Sequence, residues 1–239
     1  IDSETPLCVD PHREGKSLTG PIYAVRSFLV LIAVGTLLLW LPISGAEHGL
    51  TLLGAFFTST SAVCVTGLAV VDTGKDLSLF GRSVLLLLIQ LGGLGIMVLS
   101  SGAMVLLGRK LGLREKKLLQ ASVPGLQFSG ARSLLVRTLQ FTFAIEAVGA
   151  ILLFFCWLPK LGFFEAAGAA VFHSISAFCN AGFSLWSDSL TGYATNPFVN
   201  FVIMALIISG GLGFLLCADL ADAWRTKRLP TLHTRLAWR

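Results

Sequence analysis

Apolar residues along the chain form long runs separated by shorter ones. The long runs, each of 20 residues or more, cover 22–41, 80–107, 134–158 and 198–217. A helix rises about 1.5 Å per residue, so runs of this length cross a hydrocarbon core of about 30 Å. The pattern predicts four membrane-spanning helices, with Pro42 ending the first and Pro159 ending the third.

A shorter apolar stretch follows the first and the third predicted span. Leu50–Val63 and Glu165–Phe178 each contain 14 residues, too few to cross a bilayer and too apolar for an ordinary loop. Both are internal, which excludes a signal-peptide core. They predict re-entrant or buried helices.

The composition agrees with this pattern. Hydrophobic residues make up 54% of the chain, charged residues 13%, and the mean hydropathy is +0.80. Soluble domains average about 45–50% apolar and about 25% charged residues. These values exclude a disordered chain and argue against a water-soluble enzyme or a nucleic-acid-binding domain.

The basic residues indicate orientation. Fifteen of the 18 Lys and Arg residues lie before the first run or in its first turn, follow the second run or follow the fourth. Lys75, Arg82 and Lys160 fall on the other side. The positive-inside rule then predicts a multi-pass plasma membrane protein (the inner membrane of a bacterium) with both termini cytoplasmic. The net charge of +5 is explained by this asymmetry and predicts no nucleic-acid partner.

The chain repeats itself. Residues 57–68 match residues 172–183 at six of twelve positions with an offset of 115, and Gly92-Gly93-Leu94-Gly95 recurs as Gly210-Gly211-Leu212-Gly213. Both copies have the same predicted orientation, which is typical of parallel repeats. We predict an all-α membrane protein of pore-loop architecture, with two parallel repeats of span, pore helix, filter and span.

These boundaries divide the chain into five parts. They are a cytoplasmic arm (1–21), a first repeat (22–108), a basic cytoplasmic connector (109–133), a second repeat (134–217) and a cytoplasmic lead-in to a further repeat (218–239). The connector is also consistent with an interfacial helix or a docking surface.

The segment after each short helix is the candidate ion filter. A short helix directs the negative end of its dipole toward the bilayer centre, and backbone carbonyls after it replace the hydration shell of a cation. The candidate residues are Val65, Thr66, Gly67 and Leu68 in the first repeat and Asn180, Ala181, Gly182 and Phe183 in the second. We expect the carbonyls of Thr66, Gly67, Ala181 and Gly182 to bind a cation.

The sequences of these motifs resemble those of one family. Residues 61–68 with Val71-Asp72-Thr73 are similar to the first filter repeat of the Trk/Ktr/HKT potassium transporters, above all the bacterial Ktr-type membrane subunit. Residues 173–183 with Asp188-Ser189-Leu190 resemble the second filter repeat, and Leu232-His233-Thr234 resembles the lead-in to the third. The resemblance implies uptake of potassium, bound by the carbonyls of Thr66, Gly67, Ala181 and Gly182, without covalent cofactor or catalysis. It also implies that Gly67 favours potassium over sodium.

The family carries four repeats around one pore, and this sequence contains two. The resemblance therefore implies that the remaining two repeats belong to a longer protein, or that two copies associate. It also implies a homodimer of full-length subunits and a cytoplasmic nucleotide-binding regulatory ring. Sodium or mixed sodium/potassium transport and a truncated, non-conducting homologue remain as alternatives.

Several further residues are open to two interpretations. Glycines 92, 93, 95, 210, 211 and 213 are interpreted as helix-packing or gating positions. Glu146, inside the third span, is interpreted as a structural group hydrogen-bonded between helices. Asp72, Asp76, Glu165 and Asp188 either concentrate cations at an outer mouth or are solvated loop charges. A membrane-embedded hydrolase built on His173, Ser174 and Ser176 is disfavoured because the repeat explains these residues without chemistry.

Overall fold

The computed structural model describes residues 19–46, 49–109 and 131–226. Six helices account for most of these residues: α1 (Thr19–Trp40), α2 (Leu52–Val63), α3 (Leu79–Arg109), α4 (Ala131–Leu161), α5 (Phe163–Phe178) and α6 (Pro197–Thr226). Single 3-10 turns lie at Pro42–Ser44 and Thr191–Tyr193. Across the described ranges, extended backbone pairs only in an isolated bridge between Gly45 and Leu77, so this part of the chain is all-α.

The helices follow the predicted pattern of long and short elements. The long helices α1, α3, α4 and α6 cover the four predicted spans, and the short helices α2 and α5 cover the two shorter stretches. Most of the predicted arm and basic connector, and the end of the predicted lead-in, lie outside the described residues.

Several helix ends differ from the sequence prediction, and two of them have a clear local cause. The prediction that Pro159 ends the third span is wrong, because α4 continues to Leu161. A proline lacks the N–H donor but its effect is small in a last turn, and Gly162, with φ of 75°, ends the helix instead. The Thr51 hydroxyl accepts a hydrogen bond from the Gly54 amide (3.1 Å), so α2 begins at Leu52 rather than at Leu50.

The helices of each repeat pack on one another, and α3 joins the two repeats. In the first repeat α1, α2 and α3 are in mutual contact, as are α4, α5 and α6 in the second. Helix α3 contacts all three helices of the second repeat. The core between them includes Ile89 of α3, Trp157 of α4 and Phe178 of α5, each fully buried.

Large apolar side chains also cover the outer surface. Val30 on α1, Phe155 on α4 and Phe201 on α6 are 63%, 66% and 69% exposed. Soluble proteins rarely expose apolar surface on this scale, and a membrane is one of the environments that covers it. Among the residues whose side chains are described, the stretch Thr138–Leu161 is long and apolar enough to cross a membrane. The apolar parts of the other helices contain 10–17 residues whose side chains are described.

Candidate functional site

The segments that follow α2 and α5 have the same backbone conformation. Val65 and Gly67 have φ of 56° and 75°, and the equivalent Asn180 and Gly182 have φ of 59° and 72°. The residue between each pair, Thr66 or Ala181, is not in the left-handed region. Each predicted filter segment thus alternates in the sign of φ at the same positions.

The hydrogen bonds that hold the two segments are also equivalent. Thr66 N donates to Ser61 O (2.9 Å), and Ala181 N donates to Ser176 O (2.7 Å). In both repeats the segment turns back on the last turn of its short helix. The conformation is therefore a property of the repeat rather than of one loop.

The two segments meet at their glycines. A Cβ atom added to Gly67 would lie 2.7 Å from Ala181 O and 3.2 Å from Gly182 Cα, and one added to Gly182 would lie 3.2 Å from Gly67 Cα. Both glycines have positive φ, which strains any side-chain-bearing residue. Glycine is needed at both positions for conformation as well as for space.

Val65 carries backbone strain. A β-branched residue in the left-handed region is a conformational outlier and costs of order 1–3 kcal/mol. Its counterpart Asn180 tolerates this region better. Strain of this kind clusters at functional sites, where the surrounding structure enforces it.

The remaining predicted filter residues differ in exposure. Leu68 is 62% exposed, whereas its counterpart Phe183 is buried, as is Ala181. The Thr66 hydroxyl donates to the Ser61 hydroxyl (2.9 Å), which fixes the side chain beside its own short helix.

Aromatic side chains support the second segment. His173 on α5 stacks on Trp186, with ring centroids 4.3 Å apart and planes at 21°. Trp157 of α4 contacts both rings edge-on. The Ser176 hydroxyl donates to Phe183 O (2.7 Å), which ties the end of the segment to α5.

The hydrogen bonds of His173 define its protonation. Nδ1 lies 2.8 Å from Ala169 O, which can only accept, so Nδ1 carries the proton. Nε2 accepts from the Leu185 amide (3.4 Å) and lies 3.1 Å from the Ser184 hydroxyl. The imidazole is therefore neutral.

The serines of the disfavoured hydrolase interpretation are not paired with this imidazole. The Ser174 hydroxyl donates to Glu146 O, and the Ser176 hydroxyl donates to Phe183 O, both at 2.7 Å. Neither forms the serine–histidine pair that nucleophilic catalysis requires.

The glycines of the third helix in each repeat lie where other backbone approaches closely. A Cβ on Gly92 would collide with Val63 O, the end of α2, and one on Gly210 would collide with Phe178 O, the end of α5. Gly93 crosses to the other repeat, where its Cβ would lie 2.7 Å from Cys179 Sγ. The geometry favours packing over gating at these three positions.

Gly95 and Gly211 are less confined. A Cβ on Gly95 would lie 3.3 Å from the Phe28 ring, and one on Gly211 would lie 3.8 Å from Asn180 Nδ2. Gly213 lies within α6.

Two further equivalent contacts, one in each repeat, were not predicted from the sequence. The Ser59 hydroxyl donates to Ile32 O (2.9 Å) as the Ser174 hydroxyl donates to Glu146 O. A Cβ on Gly35 or Gly149 would press on the serine of its own repeat. The signal was present, because the serines are 115 residues apart and the glycines 114.

Acidic side chains in the loops that follow the two segments form local hydrogen bonds. A hydrogen bond from the Ser187 side chain, followed by bonds from the Gly74 and Lys75 amides, holds the pKa of Asp72 below its usual value. Asp188 Oδ2 accepts from the Thr191 hydroxyl (2.7 Å). Asp72 is thus an anionic group that links the loop after the first segment to the loop after the second.

A partly open cavity of about 190 Å³ lies beside the second segment. Its polar lining includes His173, Ser176, Asn180 and Ser184. Ile203 and Ile207 of α6 line it as well, so the second segment is accessible from this cavity.

Comparison with known proteins identifies one family. The profile of the TrkH family, described as cation transport protein, matches residues 7–236. The chain is 41% identical over 220 residues to the Ktr system potassium uptake protein B of Bacillus subtilis, covering 91% of this chain and 48% of that protein. The Vibrio alginolyticus protein of the same name is 40% identical over 213 residues, covering 89% and 46%.

A third relative is named for the uptake of two ions. The potassium/sodium uptake protein NtpJ of Enterococcus hirae is 36% identical over 226 residues, covering 94% of this chain and 50% of that protein. The chain therefore spans about half the length of these curated relatives.

Proposed function

Since the chain belongs to the TrkH family of cation transport proteins, we propose that it supplies two quarters of a potassium-selective pore. Residues 65–68 and 180–183 form two of the four filter segments around its axis. Potassium is the transported substrate and binds to backbone carbonyls, with no covalent step.

The observation that carries this proposal is the meeting of Gly67 and Gly182. Two segments with the same alternation of φ approach each other, backbone to backbone, at equivalent residues of a repeat. Alternating φ turns successive peptide planes so that their carbonyls face one side. Rings of carbonyls on a common axis are how potassium filters replace the hydration shell of the ion.

The short helices support the same function. Helices α2 and α5 end at Val63 and Phe178, immediately before the two segments. The C-terminal end of a helix carries about half a negative charge, which favours a cation at that point. Both helices therefore present their negative ends to the proposed filter.

We propose potassium as the preferred ion and retain a mixed sodium/potassium specificity as the second candidate. Two of the relatives are named for potassium uptake, and NtpJ is named for potassium and sodium. Glycine at positions 67 and 182 leaves the backbone free for an octet of carbonyls, which favours potassium.

The proposed setting is a bacterial plasma membrane with both termini cytoplasmic, as the distribution of basic residues indicates. The proposed partners are two further repeats that complete the pore, a second full-length subunit and a cytoplasmic nucleotide-binding ring. In this orientation Asp72 and Asp188 lie on the outer side, where their charges attract cations.

Serine substitutions at the two glycines test the proposal in the complete gene product. Both substitutions, Gly67→Ser and Gly182→Ser, strain a left-handed residue. The new Cβ would lie 2.7 Å from Ala181 O in the first variant and 3.2 Å from Gly67 Cα in the second, so it crowds the facing segment. We expect the potassium-to-sodium uptake ratio to fall about tenfold, equivalent to about 1.4 kcal/mol. Uptake of both ions into potassium-depleted cells, normalised to membrane expression, measures this ratio.

Gly162→Ser is the matched control. Gly162 has the same φ of 75° but nothing within 4 Å of a Cβ, and it lies outside both segments. This variant should keep the parental ratio. Normal expression of both filter variants with an unchanged ratio would refute the filter assignment.

A further inference from the structure

A buried polar bridge crosses from the first repeat to the second beside the proposed filter. Gln90 Nε2 on α3 donates to Glu146 Oε2 on α4 (3.1 Å), and the two residues are 8% and 4% exposed. Cys179 Sγ lies 4.0 Å from Gln90 Oε1 and 4.0 Å from Glu146 Oε1. We call these three residues the inter-repeat bridge.

The bridge is connected to the second filter segment on two sides. Cys179 directly precedes Asn180, the first left-handed residue of that segment. The backbone carbonyl of Glu146 accepts from Ser174 on α5 (2.7 Å). The position of α5 and the start of the segment therefore depend on where Glu146 and Cys179 lie.

The first repeat contributes the other half of the arrangement. Gly93 lies one turn along α3 from Gln90, and a Cβ there would lie 2.7 Å from Cys179 Sγ. The close approach at Gly93 and the bond from Gln90 together fix the distance between α3 and residue 179. That distance in turn sets how Gly182 meets Gly67.

The repeat shows that a carboxyl side chain is not needed where the first helix of a repeat contacts its short helix. The positions equivalent to Gln90 and Glu146 are Ile208 and Ile32. Ile32 O accepts from Ser59 as Glu146 O accepts from Ser174, so the same helix contact forms with an apolar side chain. An ionisable residue inside a membrane is costly and marks function by default.

We propose that Gln90 and Glu146 are positioning residues for ion selectivity, an inference that rests on the proposed function. Their hydrogen bond holds the second filter segment in register with the first through Cys179. They do not contact the ion. In some proteins a buried polar pair specifies one arrangement where apolar packing would tolerate several.

The decisive variant replaces both residues of the Gln90–Glu146 hydrogen bond with isoleucine, the residue at both equivalent positions. Gln90→Ile with Glu146→Ile leaves no buried polar group unpaired between them, so the protein should reach the membrane at the parental level. We expect its potassium-to-sodium uptake ratio to fall about threefold or more, since the segment loses its fixed register. A purely structural pair would leave the ratio unchanged.

Glu146→Gln separates the hydrogen bond from the carboxyl group. The amide oxygen of glutamine still accepts from Gln90, so this variant should keep the ratio within about twofold of the parent. Thr142→Val is the matched control on α4, because Thr142 is equally buried and its hydroxyl makes no hydrogen bond within the described residues. It should behave as the parent.

The outcomes distinguish this proposal from the filter assignment. If the two filter-glycine variants shift the ratio but the double isoleucine variant is normally expressed and unshifted, the bridge has no positioning role. A Glu146→Gln variant as impaired as the double variant would also overturn it. If the glycine variants leave the ratio unchanged, the filter assignment itself fails.

Discussion

The two repeats share a backbone but support it with different side chains. Their filter segments have the same φ pattern and the same amide bonds to the short helix. The second segment is supported by His173, Trp186 and Trp157, whereas the position equivalent to His173 in the first repeat is Thr58, whose hydroxyl makes no hydrogen bond within the described residues. Backbone geometry is thus maintained more strictly than the packing behind it.

This difference shows which constraints apply to each part. Close backbone approach leaves glycine as the single solution, so Gly67 and Gly182 are the same residue in both repeats. Space behind the segment can be filled by many combinations of side chains. We therefore expect equal effects of equivalent substitutions at backbone contacts and unequal effects behind the filter.

The largest effect should come from alanine at the helix-end contacts. In Gly210→Ala and Gly92→Ala, the Cβ collides with a backbone carbonyl, and α6 or α3 must move away from the end of its short helix. We expect both variants to lose stability toward the upper end of about 1–3 kcal/mol. Thermal unfolding of the detergent-solubilised protein measures the loss.

Gly168→Ala is the control for this pair. Gly168 is in α5 with nothing within 4 Å of a Cβ, so alanine there should stabilise the helix slightly. A melting temperature that is unchanged in Gly210→Ala would contradict the close contact between α6 and α5.

A smaller and asymmetric effect is expected behind the filter. His173→Leu leaves the Leu185 amide and the Ser184 hydroxyl without their acceptor, which should cost about 1–2 kcal/mol. Thr58→Val at the equivalent position removes a buried hydroxyl without a hydrogen bond and should be neutral or stabilising. Equal losses of stability in His173→Leu and Thr58→Val, measured by the same melting assay, would show that the side chains behind the two segments do not differ in their contribution.

The smallest effect concerns the strained residue of the first segment. Val65→Asn introduces the residue of the second repeat, which tolerates the left-handed region better than valine. We expect a gain in stability of up to about 1 kcal/mol and an unchanged potassium-to-sodium ratio. A marked fall in this ratio would mean that the Val65 side chain, rather than its backbone, sets selectivity.

Local pattern in the sequence determined the elements and their pairing. Run length separated the long helices from α2 and α5, because a helix has a constant rise per residue. The motif ending at Gly67 and Gly182 located both candidate segments, because positive φ and close approach leave few alternatives to glycine. The offset of 115 residues related one to the other.

Only the tertiary structure decided which distant residues meet. The approach of Gly67 to Gly182, the bond from Gln90 to Glu146 and the contact of Gly93 with Cys179 all join residues of different repeats. No periodicity encodes them, because they depend on how α3 packs against α4 and α5.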